Sequence, residues 1–287
     1  GSLGEVLRTT DGGQNWQPTA LSFNFTDDIR IYWLEADPTN PQRMFAATAD
    51  GLYRTTDGFN SVSKVLNVSS FNVRLKPGDP NIVYVGTRDG RVFRSLDGGG
   101  SFTQIVDFGN NEVFLNVTPL SSRKVYARHG SDLYKSTNEG ASFSPGGVFP
   151  ESSQVFVFSP ASPSVILSGN FETFRSNDDG ASFIQTMDWL GGGGLVDIHV
   201  DQRNMFVNPL ENHCVYYCND GGVYRFILAN NSFENLSDGL AITQFYDISV
   251  SQSNAGIVGG GSQDNGNVFR ETNGVWADYA GTGDGMN

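Results

Sequence analysis

At seven regularly spaced points along the chain an apolar residue is followed by Arg or Lys: Leu7-Arg8, Tyr53-Arg54, Phe93-Arg94, Tyr134-Lys135, Phe174-Arg175, Tyr224-Arg225 and Phe269-Arg270. The intervals are 46, 40, 41, 40, 50 and 45 residues. A period of this length, built of short apolar runs between turn residues, has room for about four strands. A four-stranded sheet that buries both faces needs a like sheet on each side. The expected fold is therefore all-β, a β-propeller of four-stranded antiparallel blades, about seven in number.

The clearest unit runs from Glu112 to Phe143. Val113–Val117, Lys124–Arg128 and Asp132–Lys135 read as strands A, B and C, with a loop leading to strand D. Seven C–D pairs can be found but six A–B pairs, so six blades are expected complete and the first as a C–D half. Residues 1–287 thus read as a single propeller domain within a longer chain, with further blades or another chain closing the ring.

The loop after strand C carries the pattern S/T-x-D-x-G-x-x-aromatic. It is intact from Thr9 to Trp16, Ser95 to Phe102 and Ser176 to Phe183; Asn138 replaces the Asp in the loop from Ser136, and the loop from Thr55 is degraded. A carboxylate here accepts backbone N–H groups of its own turn, and the aromatic residue fills the gap between sheets. These aspartates are read as structural.

A net charge of −13 disfavours phosphate backbones and anionic surfaces, so nucleic acid is excluded as a partner. No stretch is apolar for long enough to insert in a membrane as a helix. Cys214 and Cys218 lie four apart in a strand-like run, roughly 13 Å at strand rise, beyond disulfide reach.

Departures from the repeat gather after Trp189. Four glycines, 191 to 194, precede an expected strand A over Leu195–Gln202, on which Asp197, His199 and Asp201 would share one face. They would form either a polar ladder against the next blade or part of a site. Asn219-Asp220-Gly221-Gly222 and Gln263-Asp264-Asn265-Gly266 occupy B–C turns. Gln244-Phe245-Tyr246 enters the next strand A, and Gly283-Asp284-Gly285 follows the last strand D. B–C turns and D–A connections leave a blade at the same end, so these motifs are expected to share one face. Asp-Gly and Asn-Gly pairs also suit ordinary type I′ hairpins.

The loop pattern resembles the Asp-box, or BNR, repeat. The ordered set His199-x-Asp201-Gln202, Asn219–Gly222, Gln244–Tyr246, Gln263–Gly266 and Gly283–Gly285 resembles the secreted bacterial propellers of the sortilin (VPS10) type, common in Bacteroidetes and often labelled glycosyl hydrolase-like. Arg203 and Asn204 stand where that family often has a second histidine. The resemblance implies a secreted or cell-surface protein.

On this reading the chain is a module that binds a glycan or a protein. The ligand residues would be Trp189, His199, Asp201, Asn219, Asp220, Gln244, Tyr246, Gln263, Asp264, Asn265 and Asp284. No cofactor is expected, though the aspartate oxygens could hold a calcium ion. The alternative is a glycoside hydrolase using two of Asp197, Asp201 and Asp284, since that chemistry needs paired carboxyl groups with separated pKa values. A sialidase would need an arginine cluster, but six of the 14 arginines are the periodic strand-C residues.

Overall fold

The computed structural model describes residues 4–152, 155–189, 194–195, 198–208, 210–237, 240, 244–254, 256–263, 265–278 and 283–285. For Phe25, Ser152, Phe245, Asp247, Asn265, Asp278 and Asp284 it describes the backbone alone. The chain divides into two compact units. Unit 1 comprises Gly1–Ser168 with Arg175–Ile184, and unit 2 comprises Gly169–Phe174 with Gln185–Asn287.

Seven antiparallel sheets follow one another along the described chain. The first has two strands, Glu5–Arg8 and Gln17–Ser22. Each of the others is a meander whose strands A to D pair in chain order. The second holds Ile31–Asp37, Asn40–Thr48, Gly51–Thr55 and Ser63–Leu66. The third holds Ser70–Leu75, Val83–Thr87, Arg91–Ser95 and Thr103–Asp107. Val113–Val117, Val125–His129, Asp132–Ser136 and Ser144–Val148 make the fourth. The fifth is Val155–Ser159, Ser162–Gly169, Thr173–Ser176 and Ile184–Gln185. The sixth is Asn204–Phe206, Cys214–Asn219, Gly222–Ile227 and Ser232–Asn235. The seventh is Phe245–Val250, Val258–Ser262, Asn265–Arg270 and Trp276–Asp278, with Gly283–Asp284 added in parallel to its third strand.

One expected strand is absent. Of the segment Leu195–Gln202, residues 195 and 198–202 are not strand, and Asp201 takes a φ of 61°. That left-handed turn ends the alternation that would have aligned His199 with Asp201. Strand A of the sixth sheet starts three residues after Asp201, at Asn204.

In unit 1 the sheets pack face to face. Phe45, Leu52, Val73, Val83, Val85 and Phe93 form one buried interlayer, and Tyr84, Val92, Val113, Leu115 and Val125 the next. Fully burying side chains of this size contributes about 1.5–3 kcal/mol each. Three of the loop pattern's aromatic residues do what was expected, Phe102, Phe143 and Phe183 each packing on an interlayer, whereas Trp16 is exposed.

The periodic basic residue is an interlayer clasp. Arg8 Nη1 donates to Gly58 O at 2.6 Å, Arg94 Nη1 to Glu139 O at 3.0 Å, and Lys135 Nζ lies 3.4 Å from Asp179 Oδ2. In each case strand C of one sheet reaches the C–D loop of the next. The first, third and fourth sheets thus use this residue to hold a neighbour, whereas Arg225 and Arg270 bond within their own blade, to Glu234 and Gly256.

Each loop aspartate is consumed by its own turn. Asp97 Oδ1 accepts Ser95 Oγ at 2.6 Å and Ser101 N at 3.0 Å, and Asp178 Oδ1 accepts Ser176 Oγ at 2.8 Å and Ser182 N at 2.9 Å. Asn138 makes the same contacts with its amide oxygen, at 2.8 and 3.0 Å. Even the degraded loop closes: Asp57 holds Thr55 and Ser61, and Phe59 takes the left-handed conformation at φ 68° that glycine supplies elsewhere.

Hydrogen bonds from the Ser61 and Ser182 hydroxyls, backed by their amides, hold Asp57 and Asp178 down to about 2. A carboxylate depressed on folding stabilises above its unfolded pKa near 3.8, and that contribution disappears as pH falls toward 2. Asp178→Asn should therefore fold normally, as Asn138 already does, and lose less stability than the wild type between about pH 4 and pH 2. Urea titrations of both proteins across that range check this; parallel pH profiles would refute it.

Candidate functional site

In unit 2 the D–A connection before the sixth sheet lies against the fifth sheet's B–C turn. Gln202 N donates to Asn170 O at 2.6 Å, and a Cβ on Gly169 would come 2.8 Å from Gln202 Cγ. Beside this contact Trp189 meets Phe171 edge to face, ring centroids 5.7 Å apart and planes at 72°. Both rings are exposed, at 38% each. Two large apolar surfaces held together at a loop end are unusual unless something covers them.

His199 organises the same connection through its backbone. Its carbonyl accepts Gln202 Nε2 at 2.9 Å and Asn219 Nδ2 at 2.7 Å. The imidazole lies over the sixth sheet's B–C turn, where a Cβ at Gly221 would come 2.6 Å from His199 Cγ. The turn therefore requires glycine for close approach. Asn219 Oδ1 accepts Gly221 N at 3.1 Å, so its amide ties the turn to the connection.

Asp220 is engaged by a residue that sequence reasoning treated as a departure from a family pattern. Arg203 Nε and Nη2 grip its two carboxylate oxygens at 2.7 and 2.5 Å. That fork holds Asp220 below the usual carboxylate range. Asp220 can accept from a ligand, but the direction is wrong for a general acid. Gln202 is 1% exposed, and its Oε1 has no hydrogen-bond partner among the described residues. A buried acceptor left unmet costs about 1–3 kcal/mol.

The seventh sheet gathers a second set through its backbone. Gln263 N donates to Gln244 O at 2.9 Å, joining the B–C turn to the D–A connection. Asn265 and Gly266 pair with Gly283 and Asp284, and Gly285 N donates to Ser262 O at 2.8 Å. Gln244, Gln263, Asn265 and Asp284 thus meet at one end of one sheet, as their order along the chain suggested. Tyr246 is 55% exposed on the innermost strand.

Asp197 and Asp264 lie outside the described residues, as do the side chains of Asn265 and Asp284. Among the described residues no three His, Cys, Asp or Glu side chains are grouped to hold a metal. Cys214 and Cys218 are free thiols on one strand, both pushed up by burial. No described helix is long and apolar enough to cross a membrane.

Two pockets, of about 400 Å³ beside Ile257, Phe269 and Thr272 and about 270 Å³ beside Arg94, Asp97 and Thr103, lie at the C–D loop end of their sheets. The Asp97 carboxylate, already committed to its own turn, lines the second. Exposed Phe171, Trp189 and Tyr246 lie at the other end, with the B–C turns, whereas exposed Trp16 and Phe269 lie with the C–D loops.

No protein-family model and no curated protein sequence matches the chain. Solved structures do. The chain is similar to the GH74 xyloglucanase from Xanthomonas campestris, with a TM-score of 0.69, 16% identity, and coverage of 98% of this chain and 50% of the enzyme. It is similar to the GH74 enzyme of Niastella koreensis, with a TM-score of 0.65, 16% identity, and coverage of 98% and 56%. YCF48 bound to D1 peptide superposes with a TM-score of 0.60 at 17% identity, covering 91% of this chain and 85% of YCF48. The chain spans about half the length of these two GH74 enzymes. The likeness establishes the β-propeller fold.

Proposed function

We propose that this chain is a ligand-capturing propeller of a secreted or cell-surface protein, of the BNR and sortilin-like kind, which binds a glycan or a protein segment at the B–C turn end of its sheets. The observation that carries this reading is the cluster of Trp189, Phe171, His199, Asn219 and buried Gln202. Exposed rings and an unmet acceptor lie on one D–A connection and the two turns it touches. Sugar rings and extended peptides both offer flat apolar faces flanked by donors, which is what such a surface accommodates. The likeness to YCF48 in complex with a peptide supports the protein arm, and the likeness to GH74 enzymes supports the glycan arm.

A glycoside hydrolase is the second reading, favoured by the GH74 likeness. It would draw on Asp201, Asp284 or Asp197. Retention needs two carboxyl groups roughly 5 Å apart and inversion about 6.5–9.5 Å, one of them with a raised pKa. Binding without turnover is the better-supported reading, because Asp220, the carboxylate most firmly placed at this surface, is paired and depressed.

Oligosaccharide and peptide arrays, followed by titration of the best ligand, test the proposal. Trp189→Ala should weaken that ligand about tenfold, the loss of about 1.4 kcal/mol of stacking, with the melting temperature unchanged. Release of reducing sugar from a polysaccharide panel, abolished in Asp201→Asn, would replace the binding reading with the hydrolytic one.

A further inference from the structure

The innermost strands of three sheets begin with the same irregularity. Register is lost between Ile31 and Trp33 in the second sheet, between Ser70 and Asn72 in the third, and between Phe245 and Asp247 in the seventh. The extra residue is aromatic each time: Tyr32, Phe71 and Tyr246. A bulge turns its extra side chain out of the sheet's alternation. Here it does so at the B–C turn end, where strand A starts.

The correspondence extends to the turn. Ala49 N donates to Arg30 O at 2.9 Å, Arg88 N to Ser69 O at 3.0 Å, and Gln263 N to Gln244 O at 2.9 Å. Arg88 in the third sheet therefore holds the position of Gln263 in the seventh, and Tyr32 and Phe71 hold that of Tyr246. Unit 1 carries the same positional code that marked the seventh sheet as a site.

In unit 1 these residues touch. Tyr32 and Phe71 lie 5.7 Å apart at an interplanar angle of 54°, both half-buried. Arg88 is exposed; its Nη1 donates to Tyr32 Oη at 2.7 Å, and its guanidinium carbon lies 5.2 Å from the ring centroid. One hydrogen bond fixes the guanidinium plane while its remaining N–H groups face solvent.

Resting on the binding reading above, we propose that Tyr32, Phe71 and Arg88 form a subsite for one pyranose ring of a glycan. The C–H face of the sugar stacks on the two rings, and its ring-edge hydroxyls accept from Arg88. A peptide adding as a strand is disfavoured on the next two sheets, because side chains already occupy backbone groups of their innermost strands. Asn72 Nδ2 donates to Leu115 O at 2.8 Å, Leu115 N donates to Asn72 Oδ1 at 3.1 Å, and Asn116 Nδ2 donates to Phe156 O at 2.7 Å. The two rings keep partial exposure and the guanidinium over Tyr32 is exposed, which suits stacking at their edge rather than backbone pairing.

The test is calorimetric titration of the whole chain with cello-, xylo-, manno- and galacturono-hexaoses and with xyloglucan oligosaccharides. One of these should bind. Tyr32→Ala and Phe71→Ala should each weaken it tenfold or more, Arg88→Ala about fivefold, and Tyr32→Phe less than twofold, since the ring persists. Thermal melts confirm folding of each variant. Failure of every oligosaccharide to bind overturns the subsite, as does binding that Tyr32→Ala and Phe71→Ala leave intact. If a glycan binds and responds to Trp189→Ala but not to these variants, the subsite fails while the binding reading stands. Hydrolysis of a bound oligosaccharide overturns the binding reading, and the Tyr32 and Phe71 affinities still decide the subsite.

Discussion

Arg74→Ala is expected to destabilise unit 1 by about 3–5 kcal/mol, the usual cost of removing one partner from a buried ion pair. Arg74 lies on the innermost strand of the third sheet, 14% exposed, with its Nη1 3.1 Å from Glu35 Oε2 on the innermost strand of the second. Its guanidinium carbon is 4.0 Å from the Trp33 ring centroid and 5.6 Å from that of Phe114, and its Nε donates to Leu115 O at 3.3 Å. One side chain therefore joins three consecutive sheets. Burial pushes its pKa down, and the Glu35 carboxylate opposes that shift. Truncation to alanine leaves Glu35 with the Trp33 indole donor at 2.9 Å and opens a gap where the guanidinium had covered two rings. Glu35→Gln with Arg74→Met should recover part of the loss, since the stem still packs on Trp33 and no lone carboxylate remains. Urea unfolding of the three proteins measures it. A cost under about 1 kcal/mol for Arg74→Ala would show that the pair behaves as a surface salt bridge.

Arg74 also marks the limit of what the residues disclose. The blade period is legible because Arg8, Arg94 and Lys135 repeat a single contact, and a repeated contact leaves a repeated letter. The loop aspartates are legible for the same reason: one turn geometry is reused, and Asn138 shows which atom matters. Glu35, Trp33 and Arg74 make a contact that occurs once. A contact used by one blade alone leaves no period behind.

The candidate site divides in the same way. B–C turns at Asn219–Gly222 and Gln263–Gly266 follow from their Asn-Gly and Asp-Gly chemistry, and the structure places both between paired strands. The start of the sixth sheet does not follow. The alternation of Val, Ile and Val between Leu195 and Gln202 reads as strand, yet the connection is drawn off by its bonds to the fifth sheet's turn. Tertiary contact overrides local pattern there. Tyr32 and Phe71 escaped notice because a bulge is a one-residue slip of register, and an aromatic residue at the head of a strand is unremarkable until its partner is known.

Gly99→Ala and Gly13→Ala should differ sharply although the two residues hold the same place in the same motif. Gly99 has φ 83° and Gly13 φ 91°, a conformation that costs an L-residue about 1–2 kcal/mol. Gly13 pays that cost alone. Its added Cβ would find Trp16 at 3.9 Å, ordinary contact, in a loop whose Trp16 is 56% exposed. At Gly99 the Cβ would press on the Phe45 ring of the second sheet, coming 2.7 Å from Cζ and closer still to Cε1. Phe45 is fully buried and packed among Leu52, Val73 and Val85, so it has nowhere to move. Overpacking of this kind adds about 1–3 kcal/mol to the backbone term. Gly99→Ala is thus expected to cost about 2–5 kcal/mol and Gly13→Ala about 1–2 kcal/mol. The same reasoning ranks Gly140, whose Cβ would meet Tyr84 Cε1 at 2.7 Å, with Gly99. Equal losses at 13 and 99 would mean that backbone conformation alone selects glycine in this loop. A wide gap would mean that the motif's glycine is the point at which each loop is pressed onto the core of the preceding blade, and that the first, two-stranded sheet is the one where this pressure is missing.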